Sequence, residues 1–189
     1  PAHKEGRVFY DQNERALSYY NEAVGVTVKL GQETLVRVRN TSGSTITNGS
    51  VVYISGAFGG RPTVTLAQAN SAVARKTLGV CTADILNGAD GYATVLGLVN
   101  GLNTSGYTVG DTVYLSAATA GAMANVKPSA PNYVVAVGTV TTVDASVGAV
   151  FVKTDSVPKV GELNDVVITT PADGQVLSYN SGSQTWVNT

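Results

Sequence analysis

Charge is scarce in this 189-residue chain: Asp, Glu, Lys and Arg make up 13% of it, against a usual share of about 25%. Twelve Lys and Arg face thirteen Asp and Glu, for a formal net charge of -1. No block of either sign occurs, which argues against nucleic-acid binding driven by charge. One Cys excludes an internal disulfide framework and a Cys-based zinc site, and one His excludes any site built on two imidazoles. Long apolar runs are missing too. The longest uncharged stretches, such as 91–110, are broken by Gly, Asn and Thr, short of the roughly 20 apolar residues that span a bilayer. The opening Pro1-Ala2-His3-Lys4-Glu5-Gly6-Arg7 lacks the apolar core of a secretory signal. A chain opening on Pro1 is read either as a processed chain that has lost its Met or as a segment of something longer.

What is present is β-forming. Hydrophobic residues make up 43% of the chain, too many for a disordered one, with 30 Val and 22 Thr among its residues. Both types fit a pleated surface and lose rotamer freedom in helices. Alternating runs recur at 26–30, 34–39, 51–54, 63–66, 112–115, 133–137 and 149–152, separated by Gly, Asn, Ser and Asp. The expected fold class is all-β. Good helix formers cluster at Ala67–Lys76 and predict one or two helical turns there.

Three short patterns occur twice, in the same order. Asn48-Gly49-Ser50-Val51-Val52-Tyr53-Ile54-Ser55 matches 109–116, placing Gly49 and Gly110 61 positions apart. Leu78-Gly79-Val80 matches Val137-Gly138-Thr139, and 91–95 matches 148–152. The spacing predicts a duplicated, sandwich-like or barrel-like core over 46–156, with copies at about 46–98 and 107–154; chance similarity of Val-rich strands is the alternative. Residues 1–45 then form an N-terminal attachment segment. Its hairpin runs from Val8-Phe9-Tyr10 through Asp11, Gln12 and Asn13 to Leu17-Ser18-Tyr19-Tyr20, with a helix over Glu14–Ala23 as the competing reading. Residues 157–189 form a linker, marked by Pro158 and Gly161, and a second hairpin carrying the single Trp. Isolated hairpins are marginal in water, so both require a surface to pack on, either the core or a neighbouring chain.

No constellation of residues points to catalysis, a cofactor or a metal. His3, beside the terminus, is the sole neutral-pH base. Cys81 lies in an apolar strand context that favours packing over reactivity. Asp84, Asp90, Asp111 and Asp144 all fall near turns, where Asp is favoured for its own hydrogen bonding. Asn87-Gly88-Ala89-Asp90-Gly91 lacks the acidic ligands of a calcium loop, and Ala57-Phe58-Gly59-Gly60 lacks the Lys-Ser/Thr of a phosphate loop. Tyrosines remain. Tyr53 and Tyr114 occupy matching repeat positions, which favours packing, whereas Tyr10, Tyr19 and Tyr20 suit either intersubunit packing or an exposed contact. The candidate intersubunit contacts are Phe9, Tyr10, Tyr19, Tyr20, Tyr179 and Trp186.

Several stretches together resemble bacteriophage virion fibre and appendage proteins. Residues 5–11, 16–21 and 30–33 are similar to a segment recurring in tail fibres, and 45–53 resembles the start of the β domain that follows it. Residues 102–107 and 110–116 continue the likeness, which extends to small β domains of capsid-decorating proteins. Residues 163–166, 171–180 and 186–188 look like a short module found along many phage fibres. The resemblance implies a non-enzymatic virion protein of a tail or head fibre, assembled as a homotrimer in the host bacterial cytoplasm. Such a protein contacts other virion proteins and links the particle to a receptor-binding part, through which a host surface glycan could be met. With the residue screen above, the expectation is no cofactor, no nucleic-acid partner and no membrane insertion. Two other readings stand beside it: a capsid decoration protein binding the shell surface, and a fragment of a polysaccharide-degrading tailspike.

Overall fold

The computed structural model describes residues 2–189, and among them the chain is all-β, with no α-helix. One 3-10 turn lies at Val160–Glu162. The chain divides into two compact units, Pro1–Ser156 and Val157–Thr189.

The first unit opens with a three-stranded antiparallel sheet, β1 (Val8–Asp11), β2 (Ala16–Tyr20) and β3 (Thr27–Lys29), in that order. Asp11 makes the first turn: its Oδ1 accepts from the backbone N–H groups of Asn13 and Glu14 at 3.0 and 3.3 Å. The helix considered for 14–23 is therefore displaced by strand β2, whose Ala16, Ser18 and Tyr20 are buried at every second position.

A nine-stranded sheet follows, made of β4 (Thr34–Asn40), β5 (Val51–Phe58), β6 (Arg61–Leu66), β7 (Thr77–Cys81), β8 (Asp90–Leu102), β9 (Thr112–Leu115), β10 (Met123–Ala124), β11 (Val134–Thr142) and β12 (Gly148–Val157). Its order is β10-β9-β11-β12-β8-β4-β6-β5-β7, and β7 returns to pair with β8. That last pairing closes β8, β4, β6, β5 and β7 into a ring, in which β4 and β6 run parallel. Each ring strand sends one fully buried side chain into a shared cluster, Val38, Val52, Val64, Cys81 and Ala93, joined by Ile46 and Ile85 and flanked by the partly buried Val36, Leu66 and Leu78. Adjacent residues point to opposite faces. Val51 and Val80 therefore leave the ring interior and pack with Val99, Val113, Val135, Val137 and Val150 in a second cluster. Each fully buried Val contributes on the order of 1.5–3 kcal/mol.

The helix expected at 67–76 is not formed; the segment is a series of turns. Ser71 Oγ accepts from the N–H groups of Val73 and Ala74, and Arg75 N–H donates to the Ser71 carbonyl oxygen at 3.1 Å, a single capped turn that goes no further before strand β7 begins at Thr77. Ala67 and Ala69 are both fully buried, two residues apart, which is a strand's period.

β5 meets β7 with Val51 opposite Val80, Val52 opposite Gly79 and Tyr53 opposite Thr77, a bulge skipping Leu78. β9 meets β11 with Thr112 opposite Thr139, Val113 opposite Gly138 and Tyr114 opposite Ala136, a bulge skipping Val137. Both glycines are imposed by close backbone approach. A Cβ on Gly79 would collide with the carbonyl oxygen of Thr94, and one on Gly138 with that of Phe151.

The second unit is a small sheet of β13 (Val166–Val167), β14 (Leu177–Asn180) and β15 (Thr185–Asn188), ordered β13-β15-β14 with a parallel β13–β15 pair. Asn180 Oδ1 builds its turn by accepting from the N–H groups of Gly182 and Ser183. No residue of 157–189 is buried.

Gly79→Ala and Gly138→Ala should each cost about 1–3 kcal/mol or more through overpacking against backbone that cannot step aside. Gly106, with ordinary backbone and open space around it, should tolerate Ala with little change. Urea unfolding of the three variants compares them directly.

Candidate functional site

Three of the acids expected at turns are held by backbone N–H groups, Asp111 and Asp144 within their own turns and Asp84 across to a distant loop. Asp84 Oδ1 accepts from the Asn48 N–H at 2.8 Å, and Asp111 Oδ2 from the Thr108 N–H at 2.9 Å. Asp144 Oδ1 accepts from Ser146 and Val147 N–H at 2.7 and 2.9 Å, and these bonds hold its carboxyl below the usual range. Cys81 is fully buried, and desolvation pushes its thiol up to about 12. His3 Nε2 lies 3.2 Å from the Asn21 carbonyl oxygen, with its ring 4.9 Å from that of Tyr20. No group of three or more metal-ligating side chains occurs among the described residues. Asn40 is buried and donates from Nδ2 to the carbonyl oxygens of Ser44 and Ile85, both at 2.7 Å.

The six candidate contact residues fall into two places. In the first unit, Tyr20 is buried in its own chain between the rings of His3 and Phe9, 4.9 and 4.8 Å away. The opposite face of the hairpin presents Tyr10, 61% exposed, with Val8, Leu17 and the half-buried Tyr19. In the second unit, Tyr179 and Trp186 form a cross-strand pair with ring centroids 5.5 Å apart, and both rings are exposed.

The densest polar constellation is one the sequence did not expose. Alternation on β4 puts Arg37 and Arg39 on one face. The antiparallel β4–β8 register sets Asp90 opposite Arg39, and the parallel β4–β6 register brings in β6, which begins at Arg61. Three of the chain's six arginines thus surround one carboxylate. Arg39 Nη1 reaches Asp90 Oδ1 at 3.4 Å, Arg37 Nη2 lies 3.6 Å from Oδ2, and Arg61 Nη1 donates to Oδ2. Arg37 is also gripped by Glu22, through Nε and Nη2 at 3.1 Å each. Arg39 stacks its guanidinium 4.6 Å from the Phe58 ring centroid. The Arg61 hydrogen bond, with the charges of Arg61, Arg37 and Arg39, outweighs desolvation and holds the Asp90 carboxyl below its ordinary value. The pattern Arg37-Val38-Arg39 was the local signal; its partners arrive only through topology.

A carboxyl whose folded value is depressed stabilises the fold above its unfolded value of 3.8, and that contribution fades as pH falls through the lower folded value. Asp90→Asn should therefore lower stability at neutral pH, with the gap to the parent protein narrowing below pH 3.8, as urea unfolding at several pH values will show. Cys81 should resist thiol reagents at mildly alkaline pH in the folded chain and react at once after unfolding, by mass spectrometry. No protein-family model matches the sequence, and neither a curated protein nor a solved structure matches it.

Proposed function

We propose that this chain is a non-enzymatic structural segment of a bacteriophage virion, a fibre or appendage piece that forms a homotrimer and joins the particle to a receptor-binding part. One observation carries the assembly: the unit of residues 157–189 buries none of its side chains. Folded pieces below about 40 residues generally need disulfides, metals or oligomerisation. The single cysteine lies outside this unit, and its described residues hold no metal-ligating group. Yet Val160, Leu163, Val167, Val176, Tyr179 and Trp186 are all exposed in the single chain. Neighbouring chains that cover this apolar sheet would supply the missing core.

The rest of the reading is consistent with this. The engagement of Asp84, Asp111 and Asp144 by backbone N–H groups and of Cys81 in the core supports a scaffold rather than a catalyst. The identical bulged register of β5–β7 and β9–β11 supports a duplicated β unit. The stretches that resemble phage fibre proteins supply the virion context, with other virion proteins as partners.

Size-exclusion chromatography with light scattering should give a mass near three times 19.4 kDa, stable on dilution; a monomer at every concentration overturns the trimer. Trp186→Ala should weaken association by about 2 kcal/mol, as truncation of a buried aromatic anchor does, while leaving unfolding of residues 1–156 nearly unchanged. Binding of the chain to tail-free capsids would replace the fibre reading with capsid decoration.

A further inference from the structure

We infer that Arg39 and Arg61, with Phe58 beside them, form a binding site for an anionic sugar, its carboxylate held by the two guanidiniums and its ring laid against the phenyl group. The inference does not depend on the trimer.

The first argument is the charge balance. In a chain with so few charges, half of the arginines meet at one point. Glu22 answers Arg37 with both carboxylate oxygens. Asp90 alone is left to answer both Arg39 and Arg61, so one positive charge has no counter-charge in the cluster. Two cations sharing a single carboxylate repel each other, and a second anion relieves that repulsion.

The second argument is donor capacity. A guanidinium carries five N–H donors in a fixed fork that matches a carboxylate in two-point fashion. Arg39 and Arg61 each spend only Nη1 on Asp90. Their remaining donors sit on side chains that are 29% and 31% exposed, partly desolvated yet reachable. Partial burial strengthens such pairing relative to open water.

The third argument is the aromatic neighbour. Phe58 ends a run of exposed residues on β5, just before the Gly59-Gly60 turn, and its ring is 62% exposed although Arg39 stacks on it. The stacking steadies the guanidinium plane, and the exposed part of the ring offers a flat apolar surface. An inorganic anion would use the forks and ignore the ring; a sugar acid uses both. The lone surplus charge also suits a ligand carrying one carboxylate.

The test is an NMR titration of the full chain at low salt with D-glucuronate, methyl glucoside, inorganic phosphate and a glutamate-rich peptide. Saturable glucuronate binding, absent for the neutral glucoside, is expected. Arg61→Ala should weaken it at least tenfold. Arg61→Lys, which keeps the charge and loses the fork, should also weaken it and guards against a folding defect in the alanine variant. Phe58→Ala should weaken glucuronate several-fold and phosphate distinctly less, whereas Asp90→Asn, by releasing donors, should tighten glucuronate. No saturable glucuronate binding, or binding indifferent to Arg61 and Phe58, overturns the site. Binding of the acidic peptide without glucuronate overturns it in favour of a protein-docking surface.

Discussion

Backbone pairing along β8 is the constraint from which the first unit is built. Over Ala93 and Thr94 this strand pairs with β4 on one edge and with β7 on the other. From Leu96 onward, the edge that β7 used is taken over by β12. One edge is thus shared in succession by two strands, and the handover falls beside Gly97, whose φ of 123° and tight packing against Glu33 leave no room for a side chain. Without the β7 pairing the ring would be an open sheet, and Val38, Val52 and Val64 would lose their enclosure. Without the β12 pairing the second cluster would lose Val150 and Val152.

The same handover explains how few residue types suffice. Valine neighbours such as Val51 and Val52 serve two clusters at once because both faces of β5 are covered at its start. A strand buried on both faces needs small, branched, uncharged residues, and the Val-rich, charge-poor composition follows. Two of the ion-paired groups sit where strands begin or segments join. Asp90 opens β8 among its arginines, and Lys29 pairs with Glu33 at 3.1 Å between β3 and β4, the two side chains being 10% and 7% exposed.

Legibility from the sequence followed the range of the interactions. The hairpins at 8–20 and 177–188 could be read because Asp11 and Asn180 build their turns from residues two and three positions away. The all-β character was written in the β-branched content. Residues 67–76 were misread because helix propensity is a weak local preference, and burial of Ala67 and Ala69 in the core overrode it. Ring closure through β7 and the parallel β4–β6 pair leave no local trace, and so neither did the meeting of Arg37, Arg39, Arg61 and Asp90. The exposure of the whole second unit was equally hidden, because Tyr179 and Trp186 carry the same alternation that a buried hairpin would.

Closure has a further consequence, for the strand edges left open. A Val- and Thr-rich strand with a free edge is a template for indiscriminate stacking of chains. Here the longest strand, β8, has partners on both sides, and the nine-stranded sheet ends at β10, which is two residues long. At its other end β7 folds back onto β8 instead of facing water. The nine-stranded sheet thus offers a passing strand almost nothing to extend, and the free edges of the chain are left to the two small sheets, at β1 and β3 and at β13 and β14.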